Sequence, residues 1–225
     1  MHRETPLDFW LTIATVVSLF VPVWGVLLAP TEMVAIPKYL LSVGGAALLV
    51  VVGALVYGRM RNRVLLNRFL TGYLGGLVGA GIIHVFVILG VLLGMMPNLV
   101  YQLGNVALGH GLRDTPGAGV LAVGMIYHYL LNGAAWGAAY GLLLGKVRWW
   151  YGLFFGVGVW AVLTVSPAFY ALSFPARAHS FGAVVLLGML VAHLIYGSAI
   201  GYCVYRLAFP EVGTEGSKAV RPAYA

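Results

Sequence analysis

Polar positions in this chain arrive in clusters, and the stretches between them are almost wholly apolar. Six uncharged runs stand out, approximately Phe9–Ala29, Tyr39–Tyr57, Leu70–Gly94, Val120–Gly145, Trp150–Phe169 and Phe181–Tyr205. Each approaches or exceeds the ~20 helical residues that cross roughly 30 Å of hydrocarbon. The runs are unbroken rather than alternating, so helices are expected and not the strands of a barrel. The pattern predicts an all-α, polytopic membrane helix bundle with six transmembrane helices, a single domain over residues 1–209. Residues 210–225 are polar, contain Gly and Pro, and are expected as a flexible tail. The first run is too long for the apolar core of a signal peptide and reads as a retained span. Pro22 and Pro167, inside or near the end of their spans, predict kinks.

Composition agrees with the pattern. Charged residues are 8% of the 225 and the apolar set is 61%. Soluble domains carry about 25% charged and 45–50% apolar residues. A soluble globule, a disordered chain and a nucleic-acid partner are thereby excluded, despite the net charge of +7. The basic residues instead report orientation. With a cytoplasmic N-terminus, ten of the 13 fall on the cytoplasmic side, among them Arg59, Arg61, Arg63 and Arg68, against Lys38, Arg113 and Arg177 outside. This bias predicts cytoplasmic N- and C-termini. Trp10, Trp149, Trp150 and Tyr205 suit an inner aromatic belt, and Tyr39, Tyr170 and Phe181 an outer one. An integral protein of a prokaryotic plasma (inner) membrane is expected, with membrane lipids and other membrane subunits as partners.

One connection is long. Met95–Gly119 joins the third and fourth spans, and its half-apolar middle, Asn98–Leu108, is expected as an interfacial or re-entrant helix capping the outer face. Glycine is abundant, with 31 residues, and recurs at helical spacing. Gly133, Gly137, Gly141 and Gly145 form one stripe. Gly72 with Gly76, and Gly75 with Gly79, interleave on the third span. Gly152 with Gly156 and Gly197 with Gly201 mark the fifth and sixth. These are packing faces. They predict contact chiefly between the cytoplasmic halves of the fourth and fifth spans. Cys203 has no second cysteine to pair with in the chain.

Candidate chemistry rests on histidine. At 1.5 Å per residue, His84, His128 and His193 lie about 15, 12 and 18 Å below the outer ends of their spans. Three helices thus place an imidazole in one layer near the midplane. Asn132, Tyr127, Tyr129 and Tyr196 are candidate partners, and Met125 and Met189 each precede a histidine by about one turn. In one reading each ring hydrogen-bonds a neighbour and fixes helix contacts. In the other the layer is a cofactor or metal site. Imidazole ligates haem iron, copper and chlorophyll-type magnesium. A bis-His haem b would set its propionates towards Arg113 or Arg177, and His with Met suits copper.

The spans contain no Asp, Glu, Lys or Arg. That excludes a retinal Schiff base and a di-iron carboxylate centre, and disfavours carboxylate-driven antiport and zinc hydrolysis. Three functions are consistent with the residues. The first is a cofactor-bearing subunit of an energy-converting or redox complex. The others are a small transporter or channel with a histidine-lined path, and a structural or assembly subunit.

Overall fold

The computed structural model describes residues 5–29, 35–111, 114, 117–166 and 183–209. Among them all regular structure is helical: α1 Pro6–Leu28, α2 Ile36–Met60, α3 Arg63–Leu92, α4 Leu99–Leu108, α5 Ala118–Leu144, α6 Tyr151–Val165 and α7 Ala183–Leu207. Five of these, α1, α2, α3, α5 and α7, are long and apolar enough to cross a membrane. The expected fifth span appears as α6, whose 15 described residues rise about 22 Å. Pro167 and the tail from Pro210 lie outside the described residues. Pro22 sits within α1, which continues to Leu28.

Local chemistry sets the helix ends. Thr5 and Asp8 form a reciprocal capping box at the start of α1, with Pro6 at its first position. Asn62 caps α3 by accepting from the Leu65 N–H at 3.0 Å. Gly109 ends α4 in the left-handed region, at φ 76°. Both α2 and α5 contain a π-helical stretch, Leu40–Gly44 and Tyr127–Gly133.

The helices pack through glycine, but not in the expected pairs. Gly133, Gly137 and Gly141 of α5 meet Gly72, Gly76 and the Arg68 carbonyl of α3. Gly152 and Gly156 of α6 meet Gly197 and Gly201 of α7. The fourth and fifth spans therefore turn their stripes to different partners, and the expected contact between them is corrected. The reason lies in α3, whose two glycine pairs face opposite ways. Gly72 and Gly76 admit α5, while Gly75 and Gly79 admit Ile200 and Tyr196 of α7. The central helix is thus α3, clasped between α5 and α7, with α6 outside α7, α1 against α5, and α2 against α1 and α3.

α4 is no loose cap. Gly104 meets the Val120 carbonyl and Gly124 meets the Val100 carbonyl, so α4 lies backbone to backbone on the first turns of α5. At the opposite end of the bundle, Asp8 is buried. Its carboxylate accepts from the Thr5 N–H and hydroxyl, both at 2.8 Å, from Asn62 Nδ2 at 2.8 Å and from the Tyr57 hydroxyl at 3.1 Å. That knot ties the start of α1 to the α2–α3 turn.

Candidate functional site

α3, α5 and α7 each bring one histidine to similar depth. His84 is eight residues from the end of α3, and His128 and His193 are each ten from the start of their helices, about 12–15 Å in each case. The layer exists, but the three rings do not form one cluster. His84 and His128 are neighbours, with ring centroids 5.6 Å apart and planes tilted 46°. Tyr129 stands beside both, at 5.7 and 5.2 Å. His193 keeps separate company, with Tyr196 at 6.3 Å. Among the described residues no three His, Cys, Asp or Glu side chains are grouped to hold a metal ion.

Their hydrogen bonds separate the three further. His193 Nδ1 donates to the Met189 carbonyl at 2.7 Å, so its polar group is committed within its own helix. His128 is buried; the Ala80 carbonyl of α3 lies close enough to act on its ring, but neither ring nitrogen makes a well-formed hydrogen bond. His84 Nδ1 is likewise buried without one. Of the residues expected to serve as partners, Tyr129 stays beside the rings and the other three are engaged elsewhere. The Tyr127 hydroxyl donates to the Pro22 carbonyl, and the Tyr196 hydroxyl to the Gly133 carbonyl at 2.7 Å. Asn132 Oδ1 accepts from Trp136 Nε1 at 3.1 Å. A buried polar atom left unpaired costs roughly 1–3 kcal/mol, so three beside one another are a specific cost. They fall at the π-helical stretch of α5, a distortion common at functional sites.

His128 opens onto a cavity of about 330 Å³ that lies towards the α3–α4 connection. His193, Met189, Asn132 and Tyr196 share its wall, which is otherwise largely apolar. Leu99 and Leu103 of α4 border it, together with Met95 and Met96. Met96 folds flat onto Gly90, where an added Cβ would come within 2.6 Å of its Cγ. Neither His84 nor Met125 is on this wall. Arg113 and Arg177, the expected propionate partners, lie outside the described residues.

Sequence reasoning overlooked two things. Asp8 went unremarked as a flank of the first span, although Thr5-x-x-Asp8 carries a capping pattern. Trp136 and Gly188 carry no sequence signal that places them on a cavity. No family profile, curated protein or solved structure matches the chain.

Proposed function

We propose that this protein is a six-span subunit of an energy-converting membrane complex, and that it binds an apolar cofactor or carrier in the α3–α5–α7 cavity. In this proposal α6 serves as a short sixth span, and the basic end that holds Arg59, Arg61, Arg63 and Arg68 faces the cytoplasm of a prokaryotic cell. The observation that carries the reading is His128, a buried imidazole neither of whose nitrogens makes a well-formed hydrogen bond, on the wall of an otherwise largely apolar cavity. Unpaired groups of this kind mark sites completed by a ligand, ion or water.

The candidate cofactors are not equally supported. A haem b or a chlorophyll-type pigment needs one axial imidazole, which His128 supplies. An engineered cavity of 150 Å³ holds benzene. A tetrapyrrole, built of four pyrrole rings and their bridges, is far larger than one benzene and does not fit in about 330 Å³ unless the helices part. Copper is favoured less, because Met125 is off the wall and the His193 Nδ1 is committed to a carbonyl. A histidine-lined transport path has little support from so apolar a wall.

The test is the protein purified from its native membrane in mild detergent. A visible spectrum, metal analysis and mass spectrometry of a solvent extract should reveal one stoichiometric ligand. It should be lost in His128→Leu and kept in His110→Leu, a change at an exposed position. A ligand-free preparation, or retention of the ligand by His128→Leu, overturns the reading.

A further inference from the structure

We infer that the ligand of this cavity is a neutral, single-ring lipid with a carbonyl head and a hydrocarbon tail, that is, a molecule of the quinone class. The inference rests on the cavity reading above and narrows it by size, charge, hydrogen bonding and access.

Size comes first. If 150 Å³ holds one benzene ring, about 330 Å³ holds one substituted ring and the beginning of a chain. Charge comes next. No described residue of the wall is Lys, Arg, Asp or Glu. A carboxylate or phosphate there would be buried without compensation, at a cost far above that of a neutral group.

Hydrogen bonding selects the head. Tyr196 gives its hydroxyl proton to Gly133, His193 Nδ1 serves Met189, and Asn132 Oδ1 is taken by Trp136. Two wall donors make no well-formed hydrogen bond within the protein, the ring N–H of neutral His128 and the Nδ2 amide of Asn132, and both match a carbonyl oxygen. His84 completes the arrangement. Its ring lies 5.6 Å from that of His128, and its Nδ1 is also unpartnered. When His128 donates to the ligand, its other nitrogen becomes an acceptor and can take the N–H of His84. One chain, His84 to His128 to carbonyl, then satisfies all three orphaned nitrogens with both rings neutral. His84 is a positioning residue, as outer partners of a binding histidine generally are.

Access supplies the tail. The cavity wall includes Leu89, Leu93 and Val184, which are 51, 66 and 59% exposed on the apolar outside of the bundle. The cavity is therefore continuous with the surface that hydrocarbon covers. A head bound at His128 leaves its chain running out between α3 and α7 into the bilayer.

The test uses the full chain in phosphatidylcholine nanodiscs. The probes are a benzoquinone with a decyl tail and decylbenzene, which has the same tail and no carbonyl. Trp136 is on the wall, so quinone binding reads as quenching of its fluorescence, and Trp136→Phe identifies that component. We expect saturable quenching at one site, weakened about tenfold in His128→Leu, which loses a buried hydrogen bond. His128→Gln, which keeps an N–H donor, should lie between the two. His84→Leu should weaken the quinone and leave competition by decylbenzene unchanged. Gly188→Leu, which plugs the cavity, should abolish binding of both probes and keeps the test sound if His128→Leu fails to fold. Decylbenzene that binds as tightly as the quinone, or equal quinone affinity in wild type and His128→Gln and His128→Leu, overturns the quinone class but leaves an apolar-ligand cavity standing. Absence of saturable quenching by the quinone overturns the quinone class, and the extract of the native protein then decides the broader proposal separately.

Discussion

Gly137→Ala tests the packing that holds the site together. Gly137 lies where α5 crosses α3. A methyl there would come within 2.6 Å of Gly76 Cα and nearer still to the Gly72 carbonyl. Carbon atoms in contact prefer 3.5–4.0 Å, so the two helices must part by about 1 Å. A radial gap of that size forfeits a quarter to a half of each dispersion contact along the crossing. Overpacking of this kind costs about 1–3 kcal/mol, against a gain of about 1 kcal/mol in helix propensity for Ala over Gly. The backbone contacts of Gly72, Gly76, Gly133 and Gly141 loosen together, so the upper part of that range applies. The net loss is about 2 kcal/mol, a fall of about 4–8 °C in Tm for a chain of this length. Gly158→Ala in α6 is the control. Nothing lies within 4 Å of its Cβ position, so it should be neutral or slightly stabilising. Cys203 provides the assay. It is a partly buried thiol on α7 beside Gly75, and the chain's single cysteine. A thiol-reactive fluorophore therefore reports loss of the α3–α7 contact during a thermal ramp. A Gly137→Ala protein that melts with the Gly158→Ala control refutes the close crossing and, with it, the placement of His128 opposite His84.

Three further outcomes follow from the same geometry. Asp8→Ala strands the Asn62 amide and the Tyr57 hydroxyl, and should cost about 2 kcal/mol in the same assay; an unchanged melting temperature removes the knot as a stabilising element. In ligand-free protein, His128→Leu replaces two unpartnered nitrogens with apolar surface and should leave stability unchanged or raise it by about 1 kcal/mol. A fall of more than about 2 kcal/mol would mean that the ring is already bonded, with the Ala80 carbonyl as the acceptor. Gly188 is an exposed position at the cavity's edge with nothing within 4 Å of its Cβ site, so the leucine of Gly188→Leu can enter the cavity without displacing packed atoms. It should stabilise the protein by about 1–2 kcal/mol at about 24 cal/mol per Å³ filled, while excluding the ligand; destabilisation would show that the space is not open to a side chain.

How much of this was legible in the sequence differs from feature to feature, for physical reasons. Helix limits were readable because the hydrocarbon sets their length, and α5 begins and ends within two residues of the expected fourth span. α3 departs most, starting at Arg63 rather than Leu70. A charge rule marks where the apolar solvent ends, whereas a helix continues as far as its cap, here Asn62. The glycine stripes were readable as faces but not as pairs. Periodicity along one helix says which side is smooth and is silent about what lies against it. Only the interleaving on α3 carried partner information, since two offset pairs imply two neighbours.

The histidine layer divides in the same way. Depth follows from a rise of 1.5 Å per residue, and all three rings are found at similar depth. Direction around the helix does not follow, because α5 widens to i→i+5 bonding at Tyr127–Gly133. An extra residue in a turn shifts the residues before it relative to those after it. Met125, placed one ideal turn before His128, is absent from the wall on which His128 lies. The same widening accompanies the Gly133 carbonyl's acceptance of the Tyr196 hydroxyl, which commits a group expected to serve a histidine. The feature that left His128 unpartnered is therefore the one that a sequence pattern based on 3.6 residues per turn could not register. His193 drops out of the proposed site for a separate reason, since its Nδ1 is committed to the Met189 carbonyl within α7.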